Sequence, residues 1–210
     1  MLVAGAGPAG LVAGITLARY GINVLVIDKR QGVSALSRAL VISTRGMELM
    51  RRWGLEDAVR TGAPDVVPRA WVTETLACGV GTEMPLGLPS DEEAAAVSPS
   101  RPAWAPQDHH EPILLAHLRE MPSVTVRFGC ELTGLSQDRA GVHAVLLDAE
   151  TTTTSQVDAQ YVIAADGPTA GCVSNSASRW MALTTLPTTS GSSSPRRSPE
   201  RPLTGATPST

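Results

Sequence analysis

This sequence of 210 residues has little cysteine, no run of basic residues and no charged side chain in its first eighteen positions. Cys78, Cys130 and Cys172 are odd in number, lie far apart and form no CxxC pair. That spacing argues against a disulfide framework and against a zinc site, and it suits a reducing compartment in which these are ordinary thiols. The formal net charge is -3, and the one local basic pair, Arg196-Arg197, sits in a Ser/Pro-rich stretch. Without a basic face, nucleic acid is not expected as a partner. The uncharged start carries no basic segment, and four glycines and a proline interrupt it at patterned spacing. A secretory signal or membrane anchor is therefore not expected; a soluble, cytoplasmic chain is. No internal repeat is visible.

What is present first is a strand–helix–strand pattern. Residues 1–4 are a short apolar run ending in Gly-Ala-Gly, which predicts a buried strand entering a tight turn. Residues 8–19 carry Leu11, Val12, Ile15 and Ala18 at helical spacing, with Tyr20-Gly21 closing the helix, and residues 24–27 form a second apolar strand. Strand, helix and strand within thirty residues imply a parallel pair with a right-handed crossover. Ser43 or Thr44 then offers an N-cap for a helix through Met47, Met50 and Trp53, stopped by Gly54. Residues 66–75 are expected to pair in a sheet, and residues 85–106, rich in proline, to be extended. Glu111-Pro112 is expected to open another helix, with Ile113, Leu114 and Leu118 on one face. Residues 124–128, 142–147 and 157–164 predict strands. After about residue 171 the chain becomes mostly Ser, Thr, Pro, Gly and Arg without periodicity, which predicts disorder. The expected division is therefore a domain over residues 1–171 and a tail over 172–210.

The chemistry concentrates in Gly5-Ala6-Gly7-Pro8-Ala9-Gly10. Gly5 permits the tight turn, Gly7 lets the backbone approach a pyrophosphate, and Gly10 allows the helix to pack closely on the strand. Phosphates would meet the N–H groups at the helix start, where the macrodipole favours negative charge. The motif follows a strand, opens a helix and is answered by Asp28 at the end of the next strand. That carboxylate is placed to accept hydrogen bonds from ribose hydroxyls and would repel a 2′-phosphate, which counts against NADP at this site. The alternative is a glycine-rich turn with no ligand. A second group is Ser37-Arg38-Ala39 with Arg45, Glu48 and Arg51. An arginine here could grip a pyrophosphate with a forked contact, although surface arginines on a helix are common. Asp108, His109 and His110 are the one candidate metal cluster, and adjacent loop residues rarely share an ion.

Taken together, GAGPAG, Asp28-Lys29-Arg30, Arg38-Ala39 and Arg45-Gly46-Met47-Glu48-Leu49 resemble the class A flavoprotein monooxygenases, the p-hydroxybenzoate hydroxylase-like enzymes that include phenol and polyketide hydroxylases. Ala105-Pro106-Gln107, Glu111-Pro112-Ile113-Leu114 and Leu118-Arg119 look like the family segment whose glutamine contacts the flavin. Tyr161 to Gly167, read as YVIAADG, resembles its Asp-Gly motif. The resemblance covers roughly residues 1–170. It implies an α/β fold, a Rossmann-like FAD-binding parallel sheet, with FAD as cofactor and NAD(P)H as co-substrate. It further implies that Gly5, Gly7, Gly10 and Asp28 hold the ADP moiety, Arg38 the phosphates, Gln107 the flavin side, and Asp166 with Gly167 the pyrophosphate region. The reaction implied is O₂-dependent hydroxylation of a small aromatic, polyketide-like or other secondary-metabolite substrate.

Two departures from the family pattern carry weight. The sequence has no Gly-Asp dipeptide, where the family has a later one that binds the ribityl chain. Its Asp-Gly motif runs on to Cys172-Val173 rather than to Val-Arg. The expectation is a shortened relative with an incomplete β-sheet substrate layer. Two other readings stay open: a catalytically inactive remnant that binds nucleotide weakly or not at all, and an NAD-dependent dehydrogenase. The second is disfavoured because no Tyr/Lys or His/Asp arrangement follows the βαβ unit.

Overall fold

The computed structural model describes residues 1–64, 69–75 and 77–167, all within one compact unit. In chain order the elements are β1 (Leu2–Ala4), α1 (Pro8–Arg19), β2 (Val24–Asp28), α2 (Thr44–Trp53), α3 (Glu56–Arg60), β3 (Ala70–Val72) and β4 (Thr82–Met84). They continue with α4 (Asp91–Val97), α5 (Gln107–Arg119), β5 (Val124–Phe128), β6 (Cys130–Gln137), β7 (Val142–Asp148), β8 (Thr154–Ala159) and β9 (Val162–Ala164).

The organising layer is a parallel sheet in the order β5-β2-β1-β9. β1 runs parallel to β2 and β9, with Val3 beside Val26 on one side and Ile163 on the other. Both faces of this sheet are covered, which is why its central strands are almost wholly apolar rather than alternating. Val3, Val24 and Val26 point into a core with Leu11 and Ile15 of α1, Met47, Met50 and Trp53 of α2, and Leu114 and Leu118 of α5. Leu2, Ala4 and Ile27 point the other way, onto Cys130, Leu132, Ala144 and Leu146 of an antiparallel sheet ordered β6-β7-β8. Leu11, Ile15, Leu114 and Leu118 are each 0% exposed, and full burial of such a side chain stabilises by about 1.5–3 kcal/mol. The sheet thus lies between helices and a second sheet, and its carboxyl edge, where ligands sit in open α/β sheets, is left to the connecting loops.

The helix ends follow local chemistry. Ser43, not Thr44, caps α2 by accepting the Gly46 N–H at 3.3 Å, and Gly54 ends it in the left-handed region at φ 76°. Three expectations need correction. The stretch over residues 85–106 is not wholly extended: α4 forms inside it, because Ser90 and Glu93 make a reciprocal capping box that satisfies two backbone N–H groups. α5 begins at Gln107 rather than at Glu111, leaving Pro112 inside the helix instead of in its first turn. The Gln107 N–H is taken by the Ala39 carbonyl at 2.8 Å, and the Pro106 carbonyl accepts from His109 and His110, so the first turn is anchored before the proline is reached. The strand expected over 157–164 is two strands in different sheets, β8 antiparallel to β7 and β9 parallel to β1. β6 and α3 were not expected from the sequence.

Within the segment expected to pair over residues 66–75, Ala70–Val72 pairs antiparallel with Thr82–Met84, while residues 65–68 and 76 lie outside the described residues. So does the expected tail, and with it the domain boundary at 171. Among the described residues no helix is long and apolar enough to cross a membrane.

Candidate functional site

The site is built where β1 turns into α1. Gly5 adopts φ 103°, and a Cβ there would stand 2.2 Å from the Ala165 carbonyl oxygen; a Cβ on Gly10 would stand 1.8 Å from the Gly5 carbonyl oxygen. Both positions require glycine because backbone meets backbone. The Gly5 N–H donates to the Ile27 carbonyl at 2.7 Å and the Ala165 N–H to the Ala4 carbonyl at 2.7 Å, so the turn is stitched to both neighbouring strands. Gly7 differs. It is the N-cap of α1 in extended backbone, and the nearest atom to a Cβ built there is Glu111 Oε1 at 3.9 Å. The space in front of Gly7 is therefore open. No side chain caps α1 and its first residue is Pro8, and helix geometry leaves the Ala9 and Gly10 N–H groups without intrahelical partners. Such an end suits an anion.

Asp28, 7% exposed at the end of β2, accepts four hydrogen bonds. The Ala6 N–H donates to Oδ2 at 2.8 Å, the Arg30 N–H to Oδ1 at 2.9 Å, and the Arg30 guanidinium spans both oxygens at 3.0 and 2.9 Å. Burial alone would raise the carboxyl's pKa. The Arg30 side chain and main-chain N–H, the Ala6 N–H and the Arg30 charge outweigh it and hold Asp28 below its usual range. Asp28 thus ties the glycine turn to β2. Its four lone-pair sites are filled, so accepting a sugar hydroxyl would require one Arg30 contact to open.

A cavity of about 550 Å³ lies at this edge, lined by Gly5, Gly7, Asp28, Arg38, Gln107, Asp166 and Gly167 among others. That volume is in the usual range for small-molecule sites. Of the residues named from the sequence, Gly10 is not in the lining: it stands behind the turn and sets the approach of α1. Arg38 is exposed at the cavity, whereas Arg45 pairs with Glu48 at 2.5 Å and Arg51 donates to the Pro99 carbonyl at 3.1 Å. A larger cavity of about 800 Å³, between the β3–β4 hairpin and α4, is lined by Arg60, Arg69, Glu83, Leu86 and Trp104 and holds none of the glycine turn. His109 and His110, beside Asp108, reach different carbonyl oxygens, those of Val59 and Ala105, each at 3.0 Å. Among the described residues no group of three or more His, Cys, Asp or Glu is placed to hold a metal ion.

Two participants were not singled out by the sequence. Arg30 stands two residues beyond Asp28, close enough to chelate it. Glu111 is 0% exposed; its Oε2 accepts the Ser34 N–H at 3.0 Å and its Oε1 a hydrogen from the Gln107 amide at 2.5 Å. The available signal was the Gln107-to-Glu111 spacing, which puts both side chains on one helix face.

The open Gly7, the uncapped α1 and the adjoining acid fit a dinucleotide whose diphosphate approaches main-chain N–H groups. The profile of the family described as "FAD binding domain" matches residues 1–185. The chain belongs to this family, the FAD-binding part of the class A flavoprotein monooxygenases, and its cofactor is FAD. It is 32% identical over 186 residues to tetracenomycin A2 monooxygenase-dioxygenase of Streptomyces glaucescens, a match covering 80% of this chain and 32% of that protein. It is 36% identical over 175 residues to aklavinone 12-hydroxylase DnrF of Streptomyces peucetius subsp. caesius, covering 80% of this chain and 35% of that one. The crystal structure of the flavin-dependent monooxygenase PieE in complex with FAD and substrate superposes with a TM-score of 0.73 at 29% identity, over 83% of this chain and 31% of that chain. The chain spans about a third of the length of the curated relatives it matches.

Proposed function

We propose that this chain is the cofactor-holding part of an FAD-dependent monooxygenase that uses NAD(P)H and O₂ to hydroxylate an aromatic or polyketide-like small molecule. The observation that carries the reading is the open face of Gly7 between two glycines whose own approaches are closed by backbone, at the mouth of an uncapped helix. The hydroxylase and monooxygenase relatives support the reaction class, and the aromatic character of their named substrates supports the substrate class.

On this reading Gly5 and Gly10 shape the turn, and Gly7 admits the diphosphate to the main-chain N–H groups of α1. Asp28 fastens the adenosine ribose, with Arg30 yielding one contact to it. Arg38, at the rim, neutralises phosphate charge, and a guanidinium can do so through two parallel hydrogen bonds. Gln107 faces the flavin side, and Asp166 with Gly167 borders the pyrophosphate from the end of β9. On this reading residues 1–171 form the FAD-binding domain. When bound, FAD supplies the transfer of reducing equivalents to O₂; the chain's part is to place it and to keep water from it. A cytoplasmic location suits the free thiols of Cys78 and Cys130.

The test is to purify the chain, load it with FAD and measure NADH and NADPH oxidation with O₂ uptake across a set of phenols and polyketide aromatics. Substrate-stimulated, O₂-dependent oxidation with a hydroxylated product supports the proposal. A chain that binds FAD but consumes neither NADH nor NADPH with any of them contradicts the catalytic part. A chain that binds NAD and not FAD contradicts the whole.

A further inference from the structure

Glu111 has no role in the reading above, yet it is the most deeply buried charged side chain at the site. A fully buried carboxylate is costly unless its oxygens are hydrogen-bonded, and the two Glu111 oxygens are committed to different segments, one to the loop before Arg38 and one to Gln107. Oε2 holds the Ser34 main-chain N–H, 77 positions away in sequence, in the loop that leads to Arg38. Oε1 holds the Gln107 side-chain NH₂, and the same atom is the nearest to a Cβ built on Gly7. Gln107 is knit to the same loop by its own N–H, which donates to the Ala39 carbonyl at 2.8 Å and to Ser37 Oγ at 3.1 Å.

Both Glu111 oxygens act as acceptors, Oε2 from the Ser34 N–H and Oε1 from Gln107 Nε2, so the amide end that meets Glu111 is the NH₂ end. The Gln107 carbonyl oxygen is then the end left to the cavity that Gln107 lines. We propose that Glu111 is a positioning residue that fixes the polarity of the Gln107 amide, so that the cavity presents an acceptor to a hydroxyl or N–H donor of FAD. Through Ser34 the same carboxylate holds the loop carrying Arg38 in register with Gln107. This inference rests on the FAD reading and adds to it which face of the glutamine meets the cofactor and what decides it.

Glu111→Gln makes the assignment testable. The Ser34 main-chain N–H cannot reverse, so the new amide must give it the carbonyl and turn its NH₂ to Gln107. Gln107 then answers with its oxygen and presents NH₂ to the cavity, donor against donor. FAD affinity, read by flavin fluorescence titration of the full chain, should weaken about tenfold, the scale of one hydrogen bond reversed. In a Gln107→Leu background the same E111Q change should alter affinity less than about twofold, because the group through which it acts is gone. The exchanged pair Q107E with E111Q restores an NH₂-to-carboxylate contact and an acceptor toward the cavity. It should recover most of the lost affinity, and it also serves as the variant to read if E111Q alone does not fold. Equal affinity for E111Q and wild type, the same loss in the Gln107→Leu background, or no recovery in the exchanged pair would each overturn the proposal. Wild-type chain that takes up no FAD would instead remove the reading beneath it.

Discussion

Replacing Gly7 separates binding from folding more cleanly than replacing either of its neighbours. Gly7 has φ -77° and ψ -177°, backbone that any residue adopts, and a Cβ there meets nothing nearer than 3.9 Å. The fold should therefore accept Gly7→Val. Losing backbone freedom in the unfolded chain favours the variant by roughly 0.4–1 kcal/mol, and a poorer N-cap residue disfavours it by about the same amount. The net change in stability should fall within about 0.5 kcal/mol, near the limit of a urea melt. Binding should respond differently, because the new side chain occupies the space through which a diphosphate reaches the α1 N–H groups. Losing even one charge-assisted hydrogen bond costs about 1.5–3 kcal/mol, a weakening of roughly 10- to 150-fold. Gly10→Ala makes the contrast: its Cβ would stand 1.8 Å from the Gly5 carbonyl oxygen, so stability itself must fall. Fluorescence titration with FAD, beside urea melts of each variant, reads both quantities. A Gly7→Val chain that folds normally and binds FAD as tightly as wild type would refute the phosphate-approach argument, whatever else the chain binds.

Three further outcomes follow from the charges and thiols. Asp28 has its pKa held below the ordinary 3.8, so its contribution to stability is fully present above that value and lost as pH falls through the lower folded value; Asp28→Asn should remove that acid-side loss in urea melts taken from neutral pH downward. His143, between Asp158 and Asp138 at 2.7 and 3.2 Å, should titrate above 6.5 by NMR, since both carboxylates favour its charged form; any stability it adds is present at low pH and lost as pH rises through the folded value, and D158N with D138N should return it toward 6.5. Burial raises the Cys130 thiol pKa, so in a Cys172→Ser chain a thiol reagent at mildly alkaline pH should label Cys78 well before Cys130, and unfolding should abolish the difference.

The first βαβ unit was legible because its signals agree. Apolar β-branched strands, a helical stripe and glycines at turn positions all specify the same arrangement, and the structure carries it with Val3 against Val26. The cavity residues were legible through the motifs rather than through periodicity. What was not legible depended on contacts remote in sequence. Val162–Ala164 looks like the end of the preceding strand, and only its pairing with β1 shows that it belongs to the parallel sheet and borders the site. The start of α5 was hidden because its anchor, the Ala39 carbonyl, lies far upstream. The capping box at Ser90 and Glu93 was in plain view, but the surrounding prolines spoke for extended chain. Arg30 and Glu111 lie within the motifs that carry the resemblance, but nothing local says that one chelates Asp28 or that the other is buried.

FAD retention by the purified chain tests the account most directly. After incubation with FAD and passage through a desalting column, the account predicts yellow protein with about one flavin per chain, its absorbance bands resolved by the protein environment, and loss of that colour in Gly7→Val. Colourless wild-type protein that melts cooperatively, with all flavin recovered in the small-molecule fractions, would contradict it.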